Sequence, residues 1–347
     1  MNPHATLSPE GAVRLEAALR RTMFRTLKRI AQLAGLALAL AATTAHAAWP
    51  DKPIKMIWPY AAGGLGHNLS RLISDGLTER LGQPVVIDVK PGAGGTLGAG
   101  QLKLAAPDGY TIMMGTIAPL SLAPGLYGSK LAYDPVKDFE PIAMTYIGPN
   151  LVVVNANSPI KTFAELVAYA KGNPGKMSYG TAGNGSTFQL TAGMFSQITK
   201  GDMVNIPFKG GAPAFMALLA GDIDTVFGDA SSLSHVEAGK LRALAVLSPK
   251  RVSFAPNVPT IAELGMPELV LESWYGLVAP AGTPKEIIDH LNRETAAILA
   301  TPKVQEQLKT LRTEAARDTS SAHLKRTIAA EIARWRPIIE QAGIKPD

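Results

Sequence analysis

The chain repeats one local pattern that narrows its possible folds: a short apolar run, a cluster of glycines, and then a helix-like stretch. The glycine clusters are PYAAGGLGHN (59–68), PGAGGTLGAG (91–100), YGTAGNGSTF (179–188) and PFKGGAPA (207–214). The apolar runs are mostly continuous, as in strands that are buried on both faces of a sheet. Strands and helices that alternate in this way predict an α/β protein with parallel sheets.

Hydrophobic periodicity places the individual elements. The predicted strands are Ile54–Trp58, Pro84–Val89, Tyr110–Gly115, Leu151–Asn155, Met177–Gly180, Met203–Pro207, Ile223–Phe227, Leu241–Leu247 and Glu272–Ala279. One helix is predicted from apolar residues at i, i+3 and i+4 between Leu69 and Leu81, with Gly82 as its C-terminal cap. Thr162–Glu165 has the pattern of a capping box at the start of another helix. The tail is predicted to hold helices at about 284–300 and 320–342.

Two long apolar strands, near residues 151 and 272, are flanked by proline-bearing turns and are predicted to pass between two domains. With 46% hydrophobic and 18% charged residues, the chain has enough apolar material for two cores. We expect residues 48–150 and 273–347 to form one lobe and residues 151–272 the other. The cleft between the lobes is the expected ligand site.

Residues 23–47 have the three regions of a signal peptide. Arg25, Lys28 and Arg29 are basic, residues 30–42 are apolar, and Ala45-His46-Ala47 is an A-x-A cleavage site. The apolar run is shorter than the roughly 20 residues that a membrane span needs. We therefore predict cleavage after Ala47 and export to the periplasm, with an uncleaved membrane anchor as the alternative. Residues 1–22 are interpreted as an upstream extension, and the true start, Met1 or Met23, is left open.

Charge and composition exclude several classes of protein. Six of the 34 basic residues and two of the 28 acidic residues lie in the first 47, so the remaining chain has a net charge of only +2. A nucleic-acid-binding protein would carry a concentrated basic surface, and none is expected here. The chain has no cysteine, which rules out disulfides, thiolate metal sites and a cysteine nucleophile.

Motifs of common enzymes are missing from the sequence. It has no G-x-S-x-G elbow and no H-E-x-x-H helix. The nearest cofactor motif is a dinucleotide fingerprint at Gly64-Leu65-Gly66 with Asp88 about 20 residues on, but Leu69 stands where the third glycine belongs. We therefore predict no catalytic residue, no bound metal and no cofactor.

The glycine clusters are candidate anion sites. In open α/β sheets, ligands bind beyond the carboxyl ends of strands, where helix N-termini offer free N–H groups. Asn184, Ser186 and Thr187 could cap a helix and donate to an anion at once. His67, expected to be neutral beside a helix N-terminus, is either a cap or a donor to a ligand carboxylate. Asp229 is either a turn residue or an acceptor for a ligand hydroxyl or ammonium group. The loop 91–100 is interpreted as structural.

Several blocks resemble the extracytoplasmic solute-binding proteins of tripartite tricarboxylate transporters, the Bug family. These blocks are WPDKPIKMIWPYAAGG, GQPVVIDVKPGAGGTLGA, APDGYTIMMGT, YDPVKDFEPIA, NPGKMSYGTAGNGS, IPFKGGAPA, AGKLRALAVLSPKR and SWYGLVAPAGTPKEIIDHLN. The resemblance implies a two-lobed periplasmic-binding-protein fold (Venus flytrap, type II) with two crossing strands between the lobes. It also implies closure on a small carboxylate that glycine loops of both lobes hold.

The resemblance transfers ligand contacts to particular residues of this chain. They are Tyr60, Ala61, Ala62, Gly63, Gly64, Gly66, His67 and Thr116 in the first lobe, and Thr181, Ala182, Gly183, Asn184, Gly185, Ser186 and Phe208 in the second. The chain departs from the family in having Ala61 in place of proline, His67 in place of aspartate, and Gly228-Asp229 in place of Asp-Asn. The displaced acids favour a dicarboxylate, tricarboxylate or aromatic acid over an amino acid as ligand.

These observations predict a non-catalytic, monomeric periplasmic protein that delivers a small carboxylate to membrane permease subunits. The alternative is a periplasmic sensor that presents its ligand-bound form to a two-component membrane kinase. A secreted α/β enzyme is the third possibility, and the missing motifs argue against it.

Overall fold

The computed structural model describes residues 19–20, 23–24, 26–29 and 49–342, with side chains described to residue 340. The predicted cleavage site after Ala47 lies outside these residues. Contacts divide the chain into a short N-terminal unit that ends at Asp51 and a compact unit from Lys52 onward, which holds every element below. Among the described helices, none is both long and apolar enough to cross a membrane.

The strands of the compact unit form one mixed sheet. They are β1 (Ile54–Trp58), β2 (Val85–Val89), β3 (Thr111–Thr116), β4 (Phe139–Asn155), β5 (Met177–Thr181), β6 (Met203–Pro207), β7 (Thr225–Asp229), β8 (Leu241–Val246), β9 (Glu272–Pro280) and β10 (Glu314–Ala315). The order across the sheet is β2-β1-β3-β9-β4-β7-β5-β6, and β8 and β10 also pair with β4.

The helices lie between these strands and in the tail. They are α1 (Leu65–Leu81), α2 (Thr96–Lys103), α3 (Ala123–Tyr127), α4 (Phe163–Gly172), α5 (Thr187–Thr199), α6 (Gly211–Ala220), α7 (Leu233–Glu237), α8 (Lys285–Leu299), α9 (Pro302–Thr310) and α10 (Ser321–Ala342). Two predicted ends are confirmed. Gly82 caps α1 in the left-handed conformation, with φ 68°, and Thr162 and Glu165 form the capping box of α4.

The long strand β4 joins the two halves of the sheet. Its residues Phe139–Pro149 pair with β9, and Asn150–Asn155 pair with β7 and β8. We call the part built on β1, β2, β3, β9 and the first half of β4 lobe A. The part built on β5–β8 and the second half of β4 is lobe B. The lobe limits expected from sequence, 48–150, 151–272 and 273–347, remain a prediction.

Both chain connections between the lobes meet at Asn150, which is fully buried. The backbone N–H of Leu247 donates to the carbonyl of Asn150 at 2.8 Å. The Asn150 side chain donates to the Leu271 carbonyl at 3.3 Å and accepts from the Ser273 hydroxyl at 3.0 Å. A buried polar group with all these bonds fixes the two connections side by side.

The expectation of purely parallel sheets is wrong at the centre of the molecule. The outer pairs β1–β2, β1–β3, β5–β6 and β5–β7 are parallel, but β3–β9, β9–β4 and β4–β7 are antiparallel. Continuous apolar runs indicate burial on both faces and carry no information on strand direction. The first half of β4 was also missed, because Pro141, Gly148 and Pro149 interrupt the strand pattern.

The tail packs against lobe A, as expected. The Asn292 side chain of α8 donates to the Ile142 carbonyl in β4 at 2.8 Å. Residues Glu314 and Ala315 add β10 to the edge of β4. In α10, Trp335 is only 1% exposed, so the last helix covers apolar surface.

Candidate functional site

A narrow cavity lies between the lobes, at the carboxyl ends of β1, β3 and β7. Lobe A contributes Trp58, Tyr60, Ala61, Gly64, Leu65, Gly66, Thr116, Ile117, Ser273, Trp274 and Tyr275, and lobe B contributes Ala182, Ser186, Thr187, Phe188, Gly211 and Asp229. Its volume is about 60 Å³, room for roughly four to six water-sized spheres. This is the position at which open α/β sheets bind ligands.

The lobes touch through their glycine loops. The Ala61 N–H in lobe A donates to the Lys209 carbonyl in lobe B at 2.8 Å. A β-carbon added to Gly94 would lie 2.5 Å from the Asn184 carbonyl oxygen and 2.9 Å from the Gly185 carbonyl carbon. The loop 91–100, interpreted from sequence as structural, therefore also contacts lobe B. Such close backbone approach describes a closed conformation and requires glycine at residue 94.

Aromatic side chains hold the first glycine loop in place. The Tyr60 hydroxyl donates to the Gly94 carbonyl at 3.0 Å and shares a hydrogen bond with Thr116 at 3.1 Å. Burial raises the pKa of Tyr60 well above its usual value, so the phenol is neutral. The Trp58 ring lies 5.3 Å from the ring of Tyr60 and 6.4 Å from that of Tyr275, between centroids. Its Nε1–H donates to the Ala61 carbonyl at 3.2 Å.

Helix α1 begins directly against this aromatic wall. A β-carbon on Gly66 would lie 2.1 Å from the Trp58 ring and 2.8 Å from the Tyr275 ring, so only glycine lets the first turn come this close. The N-cap residue, Gly64, makes no side-chain capping bond. The first-turn N–H groups of α1 are thus not capped by a side chain, and the helix dipole adds positive potential at the cavity.

Lobe B presents the N-terminus of α5 to the same cavity. Its N-cap is Ser186, whose Oγ accepts from the Gln189 N–H at 3.4 Å, a long bond. The preceding loop is held by its own contacts. Gly185 N–H donates to the Gln189 side chain at 2.7 Å, and the Asn184 side chain accepts from Asn205 at 2.8 Å. These bonds fix the loop before any ligand arrives, which reduces the entropy cost of binding.

Asp229 has the turn role that was considered for it from sequence, and it also lies at the cavity; its role as a ligand acceptor stays a prediction. It ends β7 and its Oδ1 accepts from the backbone N–H of Ser231 at 3.0 Å and from the Ser231 hydroxyl, so it caps the turn 230–232. It also lines the cavity. Burial raises the pKa of this carboxyl above its usual value, although the Ser231 bonds act in the opposite direction.

The predicted contacts divide into two groups. Tyr60, Ala61, Gly64, Gly66, Thr116, Ala182, Ser186 and Asp229 line the cavity, whereas Ala62, Gly63, His67, Thr181, Gly183, Asn184, Gly185 and Phe208 do not. Gly63 lines a separate surface groove. His67 is half-buried, and burial together with the charge of Arg71 lowers its pKa. That any of these residues binds ligand stays a prediction.

Sequence reasoning missed most of the side chains that enclose the cavity. Trp58, Phe188, Trp274 and Tyr275 form its apolar walls. Trp58 directly precedes the first glycine loop, and its position at a strand end was a usable signal. The indole N–H of Trp274 and the hydroxyl of Thr181 are buried without a hydrogen-bond partner in the described part of the chain. Within the same part, no cluster of three or more potential metal ligands occurs.

The geometry is that of a small cavity between two lobes, a usual place for a ligand site, and comparison with known proteins agrees. The sequence profile of the tripartite tricarboxylate transporter family receptor matches residues 69–344. The chain belongs to this family. The family assignment made from the sequence blocks is therefore confirmed, and the family and its fold are those of substrate-binding proteins.

Solved structures of family relatives superimpose on nearly the whole compact unit. The periplasmic binding protein BugD is 34% identical, with a TM-score of 0.82, over 86% of this chain and 99% of its own. MatC from Rhodopseudomonas palustris, solved with malate, is 31% identical, with a TM-score of 0.81, over 84% of this chain and 100% of its own. A second R. palustris protein, solved with adipate, is 34% identical, with a TM-score of 0.81, over 86% and 100%. The predicted two-lobed fold is confirmed.

Proposed function

We propose that this chain is a periplasmic receptor that captures a small carboxylate between its lobes and delivers it to the membrane permease subunits of a tripartite transporter. The single observation that carries the proposal is the cavity at which uncapped α1 and weakly capped α5 both begin. Two helix N-termini that begin at one cavity favour a bound anion.

The chemistry of the cavity supports capture by backbone amides. No lysine or arginine occurs among the residues that line it, so a ligand carboxylate would be held by N–H groups and neutral side chains. Hydrogen bonds to a charged group contribute about 1.5–3 kcal/mol each, and closure strengthens them by excluding water. The unpartnered indole N–H of Trp274 is a further buried donor beside the cavity.

The relatives support the same ligand class. MatC was solved with malate and the second R. palustris protein with adipate, both dicarboxylates. We extend carboxylate binding to this chain because the fold around the cavity is shared. We also propose that the protein is exported by cleavage after Ala47, works as a monomer, and turns over no substrate.

Thermal unfolding of the chain from Ala48 onward, in the presence of mono-, di-, tri- and aromatic carboxylates, tests the proposal. A ligand at 100 times its Kd adds about 2.7 kcal/mol to the free energy of unfolding, which raises Tm by several degrees. Mass spectrometry of small acids released from freshly purified protein gives an independent readout. If no acid of the panel raises the melting temperature and no acid is released from the purified protein, carboxylate capture is contradicted.

A further inference from the structure

The cavity has one charged wall. Among its lining residues, Asp229 from lobe B is the only carboxylic acid, and aromatic residues of lobe A, including Tyr275, line the same cavity. Tyr275 is 6% exposed. Both residues border the same cavity.

The two oxygens of Asp229 have different environments. Oδ1 is committed to the N–H and hydroxyl of Ser231. Oδ2 makes no such bond and is approached by Gly211, where an added β-carbon would lie 3.5 Å away. Glycine at residue 211 therefore leaves the space in front of Oδ2 open to the cavity.

Tyr275 supplies the complementary group. Its hydroxyl makes no hydrogen bond to protein in the described part of the chain, and no direct bond joins it to Asp229. The charge of Asp229 nevertheless contributes to raising the pKa of Tyr275, after burial as the main cause. An acceptor and an O–H group thus border one cavity with no hydrogen bond between them.

We propose that Asp229 and Tyr275 select carboxylates that also carry a hydroxyl group. The ligand hydroxyl donates to Oδ2 of Asp229 and accepts from the Tyr275 phenol, a pairing that uses both functions of a hydroxyl. This inference rests on the proposed capture of a carboxylate and adds the chemistry of the opposite end of the ligand. A second ligand carboxylate at this place would meet Asp229 as a like charge.

A ligand without the hydroxyl leaves two buried polar groups unpaired, which a binding site penalises strongly. The test therefore uses matched acids: malate against succinate, and lactate against propionate, with aspartate and alanine as the amino analogues. Affinities are measured by isothermal titration calorimetry on the chain from Ala48 onward. In each pair that binds, the hydroxy acid is expected to bind at least about tenfold more tightly.

Two variants separate specificity from folding. In Asp229→Asn, the amide oxygen is needed by the Ser231 N–H, so the NH₂ group faces the cavity and donates instead of accepting. Because the ligand hydroxyl can still accept from this NH₂ group, we expect the preference for malate over succinate to fall without inverting. Tyr275→Phe keeps Asp229 and its cap, and should reduce the preference at least threefold. Asp222→Asn, an exposed acid in the turn before β7, is the matched control and should keep the preference of the unmodified chain.

The outcomes distinguish this inference from the proposed function. Binding of carboxylates with equal affinity for hydroxy and deoxy partners overturns the hydroxyl assignment and leaves carboxylate capture standing. Tighter binding of the amino analogues overturns it as well, in favour of an ammonium group. Failure of every acid to bind contradicts the proposed function itself. A preference unchanged in both Asp229→Asn and Tyr275→Phe also refutes the assignment.

Discussion

Gly94→Ala should weaken ligand binding by obstructing closure of the lobes. The added β-carbon would lie 2.5 Å from the Asn184 carbonyl oxygen, a backbone atom that cannot rotate away. An ordinary contact needs about 3.4 Å, so lobe B has to retreat by about 0.9 Å. The same retreat would stretch the 2.8 Å bond between Ala61 N–H and the Lys209 carbonyl beyond hydrogen-bond length.

The expected loss of affinity follows from these contacts. One interlobe hydrogen bond contributes about 0.5–1.5 kcal/mol, and the ligand's bonds to the displaced lobe weaken as well. We therefore expect at least about a tenfold rise in Kd, which corresponds to 1.4 kcal/mol. Gly94 also has φ 61°, where alanine costs about 1–2 kcal/mol of stability whether the lobes are open or closed.

Gly82→Ala is the matched control, because Gly82 has φ 68° and open space around its α-carbon. It should lose similar stability and keep the affinity of the unmodified chain. Calorimetry with the acid that stabilises the unmodified chain most gives Kd, and small-angle X-ray scattering with and without that acid reports closure. Equal Kd values for Gly94→Ala and the unmodified chain would refute the reasoning about closure.

Three further predictions concern stability and the lobe contacts. Thr162→Ala removes the capping box of α4 and should lower the free energy of unfolding by about 1 kcal/mol in denaturant titrations without changing Kd; an unaltered unfolding midpoint contradicts it. Because the folded pKa of Asp229 is raised, the native state binds more protons than the unfolded state, so this group's contribution to stability falls as pH rises. Asp229→Asn should therefore have a higher melting temperature than the unmodified chain at pH 7, and the difference should shrink towards pH 4. A difference in melting temperature that grows as the pH falls would contradict this prediction. Glu237→Gln breaks an exposed ion pair between Glu237 in α7 and Arg312 in the segment before β10, whose N–O distance is 2.6 Å. Because exposed ion pairs contribute little at 0.15 M salt, Kd should change less than threefold. A tenfold change in Kd would contradict this and would show that the pair helps to hold the lobes closed.

The backbone features of the site were predictable from sequence, because two glycine clusters at strand ends, each of which could alone be a simple turn, were expected to face one cleft from different lobes. The loops around Gly64 and Ser186 were assigned to the cavity on this basis, and both border it. The strand and helix signals also placed β1 and β6 at their observed limits. Such local features depend on neighbouring residues alone, which is why a single sequence reveals them.

The remaining features depend on contacts between distant residues. Trp274 and Tyr275 reach the cavity because β9 lies between β3 and β4, an arrangement that no local pattern encodes. The contact of Gly94 with Asn184 joins loops that are 90 residues apart and exists through the packing of the lobes. The long strand β4 was only half predicted, because Pro141 and Pro149 resemble turn residues when read alone.

The most direct test of the account is a crystal structure of the chain from Ala48 onward with its best-binding acid. The account predicts one ligand carboxylate in the cavity between the lobes, within about 3.2 Å of N–H groups in the first turns of α1 and α5. A carboxylate bound outside this cavity, or held there by lysine or arginine side chains, would contradict it.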